Sequence, residues 1–118
     1  MATLPITIIR GSDRTFSVLI NYTCGGNDPQ PFDLSGTTEI KAIFPNADGT
    51  TVVETLTSGR VTITSPFAGK IKIFIPDGDT SLLNVGENQS FEIELHAGAI
   101  INIVQFLGML NVVDRLFP

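Results

Sequence analysis

The chain has 118 residues, of which 42% are hydrophobic and 16% charged, and a formal net charge of −5. That length fits one domain, residues 1–118, around a single core, and the apolar content excludes intrinsic disorder as the main state. Seven basic residues against twelve acidic ones offer phosphate backbones and anionic lipid no general attraction, so no nucleic-acid partner is expected.

A single cysteine, Cys24, cannot close an internal disulfide, and the fold must rest on burial. The N-terminus carries no basic segment, and its first apolar run, Ile6–Ile9, is broken by Arg10 and Gly11; no secretory signal is expected. The most apolar stretch, residues 97–113, contains Gly98, Asn102, Gln105, Gly108 and Asn111, interruptions that a bilayer-spanning helix does not tolerate in such number. It reads as two buried strands, and no membrane partner is expected.

Period-two alternation, the mark of a strand with one buried face, recurs along nearly the whole chain. The first strand is predicted at Ile6–Ile9, closed by the turn formers Arg10, Gly11, Ser12 and Asp13. The second covers residues 15–22, with Phe16, Val18 and Ile20 inward. Gly25, Gly26, Asn27, Asp28 and Pro29 then break the chain, and residues 30–36 read as an irregular crossing whose Phe32 and Leu34 plug one end of the core. A third strand, residues 38–44, turns inward Ile40, Ala42 and Phe44. Asp48-Gly49 predicts a hairpin to a fourth, residues 50–56. The fifth, residues 60–64, buries Val61 and Ile63; the sixth, residues 70–75, buries Ile71, Ile73 and Ile75.

Residues 77–86 break the alternation. Leu82, Leu83 and Val85 suit one helical turn, with Asp79 or Thr80 as N-cap and Gly86 as its stop. Phe91, Ile93 and Leu95 alternate with Glu92 and Glu94 in a seventh strand, residues 89–96. Two further runs follow, residues 100–106 and, past Gly108, 109–116. Seven to nine short strands at this spacing predict an all-β fold, an immunoglobulin-like two-sheet antiparallel β-sandwich with one short helical turn. The last run carries bulky apolar groups on both faces, so its strand is either central in its sheet or turns an outer face to another protein.

The chemical inventory is thin: one His, one Cys, one Tyr and no Trp. His96 ends a strand far in sequence from Cys24, and one soft ligand does not make a zinc site. No nucleophile elbow accompanies His96, and Asp77-Gly78-Asp79 and Asn46-Ala47-Asp48-Gly49 lack the spaced oxygen ligands of a calcium loop. Glu92 and Glu94 share one strand face, where a glycosidase pair would have to face each other across a sugar. The sequence therefore predicts no enzyme, no metal and no cofactor.

The entry Ile8-Ile9-Arg10-Gly11-Ser12-Asp13, the strand Phe16-Ser17-Val18-Leu19-Ile20 and the crossing Pro31-Phe32-Asp33-Leu34-Ser35-Gly36 form an ordered set with Thr37-Thr38-Glu39-Ile40-Lys41-Ala42, Gly69-Lys70-Ile71-Lys72-Ile73 and Asp79-Thr80-Ser81-Leu82-Leu83. Over residues 6–114 this order resembles the small immunoglobulin-like domains of bacteriophage tail and baseplate proteins, the upper-baseplate and fibre-attachment proteins. The resemblance implies a non-enzymatic docking or adaptor module of the virion, held by sheet edges and termini. Its implied partners are other virion proteins and further copies of itself.

Decoration of the phage head is the alternative, followed by a carbohydrate-binding or adhesion sandwich, which eight mostly inward Phe and no Trp disfavour, and a hydrolase resting on His96. The expected interface is the C-terminal run, with Ile101, Ile103, Phe106, Leu107, Met109, Leu110, Leu116 and Phe117 as its residues. The other sheet edges and the loop from Cys24 to Pro31 come second.

Overall fold

The alternation of apolar and polar residues folds as it reads. In the computed structural model, which describes residues 5–22 and 30–116, the strands are β1 (Ile6–Ile9), β2 (Arg14–Leu19), β3 (Asn21–Tyr22), β4 (Gln30–Pro31), β5 (Glu39–Pro45), β6 (Thr51–Thr55), β7 (Val61–Ser65), β8 (Lys70–Ile75), β9 (Gly86–Ala97) and β10 (Ile100–Val113). One helical turn, α1 (Asp77–Thr80), joins β8 to β9.

Two principal sheets form the expected β-sandwich. The larger has the order β1-β10-β9-β5-β6, and the smaller β2-β8-β7; β3 and β4 make a two-stranded ladder between them in sequence. Every pair is antiparallel except β1 with β10, which run parallel from Ile6 beside Leu110 to Ile9 beside Val113. The inward rows are those the pattern predicts: Phe16 and Val18 from β2, Ile71, Ile73 and Ile75 from β8, Ile40, Ala42 and Phe44 from β5, Phe91, Ile93 and Leu95 from β9. Phe16, Phe44, Phe91 and Phe106 form a chain of ring contacts across the core, with successive centroids 4.7 to 6.3 Å apart. Leu34 from the crossing is fully buried and Phe32 packs beside it at the core margin.

Several boundaries differ from the sequence reading. The second strand ends at Leu19; Ile20 is buried outside the ladder, donating its N–H to the Gly69 carbonyl and accepting the Phe32 N–H. The helical turn precedes the leucines. Its N-cap is Pro76, which has no side-chain acceptor, and Asp13 from the β1–β2 turn supplies one by accepting the Asp77 N–H at 2.8 Å. Thr80 is buried inside the turn, Leu83 is buried in a bridge to Asn46, and Leu82 and Val85 are exposed. Gly86 starts β9 three residues earlier than the alternation suggests.

The final run is one strand of 14 residues rather than two. Gly108, at φ +68°, is not a turn; it sits in a bulge between Phe106 and Leu110, where β10 advances four residues against two on β9. Ser90 accepts the Gly108 N–H at 3.1 Å and fixes that irregularity.

Candidate docking edge

The two halves of β10 lie in different environments. From Leu110 to Val113 the strand is central, with β9 on one side and β1 on the other. From Ile100 to Leu107 it has β9 on one side only, and no other described strand flanks it. Among the described residues, these eight residues of backbone thus form a free edge, bounded by the Gly98 turn at one end and by β1 at the other.

Alternation decides what this edge displays. Val104 and Phe106 face inward; Val104 stands opposite Ile93, and the Phe106 ring stacks on Phe91. Ile101, Ile103, Gln105 and Leu107 face outward, and the three apolar ones are 52%, 57% and 70% exposed. Ile100, at the hairpin end, is 66% exposed. The neighbouring outward row on β9 is polar: His96 stands opposite Ile101, Glu94 opposite Ile103 and Glu92 opposite Gln105. His96 and Glu94 pair with each other at 3.0 Å, so the single histidine faces a carboxylate rather than a serine. A shallow groove of about 280 Å³ lies between Gln105 and Leu107 on β10 and Ile43, Pro45 and Thr51 across the sheet, with Glu92 in its wall.

Every other edge of the two principal sheets carries a device that discourages strand addition. Sheet edges otherwise template pairing with any extended chain, and short strands, bulges and charges counter it. β1 and β2 are both edge strands, and the Arg14 guanidinium spans them, donating to the Thr7 carbonyl at 2.8 Å and to the Thr15 carbonyl at 2.6 Å. β7 is broken by an irregularity between Ile63 and Ser65. β6 has only five residues, and its Glu54 carboxyl group points inward: Glu54 is 3% exposed, with Arg60 at 3.9 Å, and Arg60 in turn reaches Asp79 at 4.0 Å. Burial, with the Asp79 carboxylate nearby, pushes Glu54 up to about 8, against a smaller opposing pull from Arg60. The Ile100 to Leu107 edge has no charge and no proline, and its register with β9 is unbroken from Ile100 to Phe106.

The expected interface residues therefore divide. Ile101, Ile103 and Leu107 lie together on the free edge, and Leu116 is exposed beyond the end of β10. Phe106 and Met109 are half-buried against the core. Leu110 is a correction: it continues the inward row of Val104 and Phe106, is fully buried between β9 and β1, and is core rather than interface. Phe117 lies outside the described residues, as does most of the Cys24 to Pro31 loop. Ile100 belongs to the edge, and the freedom of its backbone was not visible in the sequence.

Other chemistry considered from the sequence meets ordinary structural roles. Asp77 accepts the Gly78 N–H, Asp79 faces Arg60, and Asp48 accepts from Thr50, so these carboxylates serve turns and ion pairs. The outward face of β9 holds Glu92 and Glu94 side by side, as the alternation requires. The chain matches no protein-family model and no curated protein.

Proposed function

We propose that the chain is a non-enzymatic structural protein of a bacteriophage virion, a docking module of the tail, baseplate or fibre-attachment site that works by strand-edge pairing. One observation carries the docking part: the only long, uncharged strand edge among the described residues, Ile100 to Leu107, is left open while the remaining edges of both principal sheets are guarded. A free monomer gains nothing from Ile101, Ile103 and Leu107 in water. An assembly covers them. The phage part rests on the ordered sequence features that resemble tail and baseplate domains.

The test is gold-labelled antibody against the protein, imaged on intact particles from the source culture. Label at the tail tip or baseplate is the expected result. Label spread over the head makes the chain a decoration protein, and particles without label overturn the virion reading.

A further inference from the structure

We infer that the strand which pairs with the open β10 edge is β10 of a second copy of this chain, joined antiparallel about a two-fold axis that passes beside Ile103. This deepens the docking reading and rests on it.

Three observations select a second copy. First, the edge is backbone, and only another extended strand satisfies it; β10 is itself such a strand, with the same length of free edge to offer. Second, residues 97–113 contain no charged side chain. A partner of opposite charge finds nothing to recognise there, whereas a neutral apolar row meets its own copy without like charges in contact. The acidic row of Glu92 and Glu94 lies one strand back from the seam on each side, so two copies keep those carboxylates three strand spacings apart, about 14 Å. That exceeds the screening length at physiological salt. Third, the guards on the other edges oppose strand addition in general, and their absence from this one edge leaves a single site, which is what a closed two-fold pair requires.

The space available fixes the register. A two-fold axis normal to the sheet places residues of the same face opposite one another, so the centre must fall on a residue, and the middle of the free segment allows Ile103 or Val104. Centring on Val104 puts the second copy's hairpin turn at Gly98 opposite Leu110, where β1 already lies. Centring on Ile103 puts that turn opposite Gly108, clear of β1. The two Ile103 side chains then face each other on the outer face, and Phe106 lies opposite Ile100 of the second copy on the inner face. Two five-stranded sheets become one of ten strands.

An edge of eight residues is about 27 Å long. Its pairing covers a total area on the order of 1,000 Å², at the low end for specific association. The pair should accordingly be weak in dilute solution and strengthen where the virion holds many copies together.

Sedimentation equilibrium on the full chain should show a reversible monomer–dimer equilibrium. Ile103→Lys places like charges on the axis and removes apolar cover, and it should weaken the dimer by about tenfold or more. Circular dichroism and a melting temperature unchanged at concentrations where both proteins are monomeric confirm that this exposed position leaves the fold intact. A short bifunctional thiol reagent should link Ile103→Cys in a Cys24→Ser background, and should not link Thr62→Cys, on exposed β7, in the same background. A monomer at every concentration, or equal linking of the two variants, overturns the inference. Particles that carry the label while the purified chain stays monomeric defeat self-pairing and leave the virion reading standing; dimers with no labelled particle support self-pairing and overturn the virion reading.

Discussion

The rings of Phe91 and Phe106 lie 4.7 Å apart and within 5° of parallel, joining β9 to the inner face of β10. The stack holds the free edge from behind: it fixes the inner row of residues 100–107 while the outer row faces water. Phe106→Ala should cost about 2–3 kcal/mol in urea denaturation, less than a fully buried Phe because its ring is only partly covered. Ile103→Ala, one strand face away, should change monomer stability by less than about 1 kcal/mol. Equal losses at the two positions would mean that the outer row is packed after all.

Glu54 should make the protein lose stability on the alkaline side. Its carboxyl is raised from the ordinary 4.5 to about 8 by burial and by the Asp79 carboxylate. The folded chain therefore binds a proton there that the unfolded chain has released. The contribution is fully present below pH 4.5, declines as pH rises above that value and is gone once pH has passed about 8. Asp33, Glu39 and Asp48, held below their ordinary values by hydrogen bonds from Ser35, Thr57 and Thr50, act in the opposite direction and lose their stabilising effect on acidification. Melting temperature followed between about pH 5 and pH 9 should fall toward the alkaline end in the wild type, and Glu54→Gln should flatten that limb. An unchanged slope in the variant would remove Glu54 as its cause.

Gly69 lies where three segments meet. Its φ of +68° suits glycine, and a Cβ built there would press into the Ile20 carbonyl oxygen and stand 2.9 Å from that of Phe32. Both obstacles are backbone and cannot rotate away. Gly69→Ala should destabilise by more than about 2 kcal/mol or prevent folding, and expression yield with thermal melting will report it. Gly59→Ala provides the contrast, since that positive-φ position has open space around it.

Thr80 ties α1 to the turn after β1. Its buried hydroxyl oxygen accepts the Gly11 N–H at 3.1 Å, and its proton is donated to the Ser12 carbonyl at 2.8 Å. Thr80→Val keeps the shape and removes both bonds, leaving a backbone donor and an acceptor without this partner. A loss of about 1–3 kcal/mol in chemical denaturation is expected. Thr80→Ser should recover most of it.

The sheets were legible because burial in a strand follows simple alternation. Ile71, Ile73 and Ile75, or Phe91, Ile93 and Leu95, announce a face whatever lies opposite. The final run misled because Gly108 has the chemistry of a turn, and only its partner Ser90 and the uneven register with β9 reveal a bulge. The helical turn misled for a related reason. Its first N–H is satisfied by Asp13, 64 positions away, so no local cap marks the start. The docking edge was half legible: the excess of apolar residues in 100–107 was plain, but whether they were covered depended on how far β1 runs alongside β10. That extent is set by a parallel contact between opposite ends of the chain, which local pattern does not encode.

Arg14 reaches two edge strands with one side chain, and under the proposed pairing this would limit the valence of the molecule. A unit with a single sticky border closes after one partner. A unit with two keeps growing, because each added copy presents the border that the last one used. By occupying carbonyls on β1 and β2 together, one guanidinium would keep the proposed pairing finite, and replacing it with alanine should then allow open-ended filaments that scatter light.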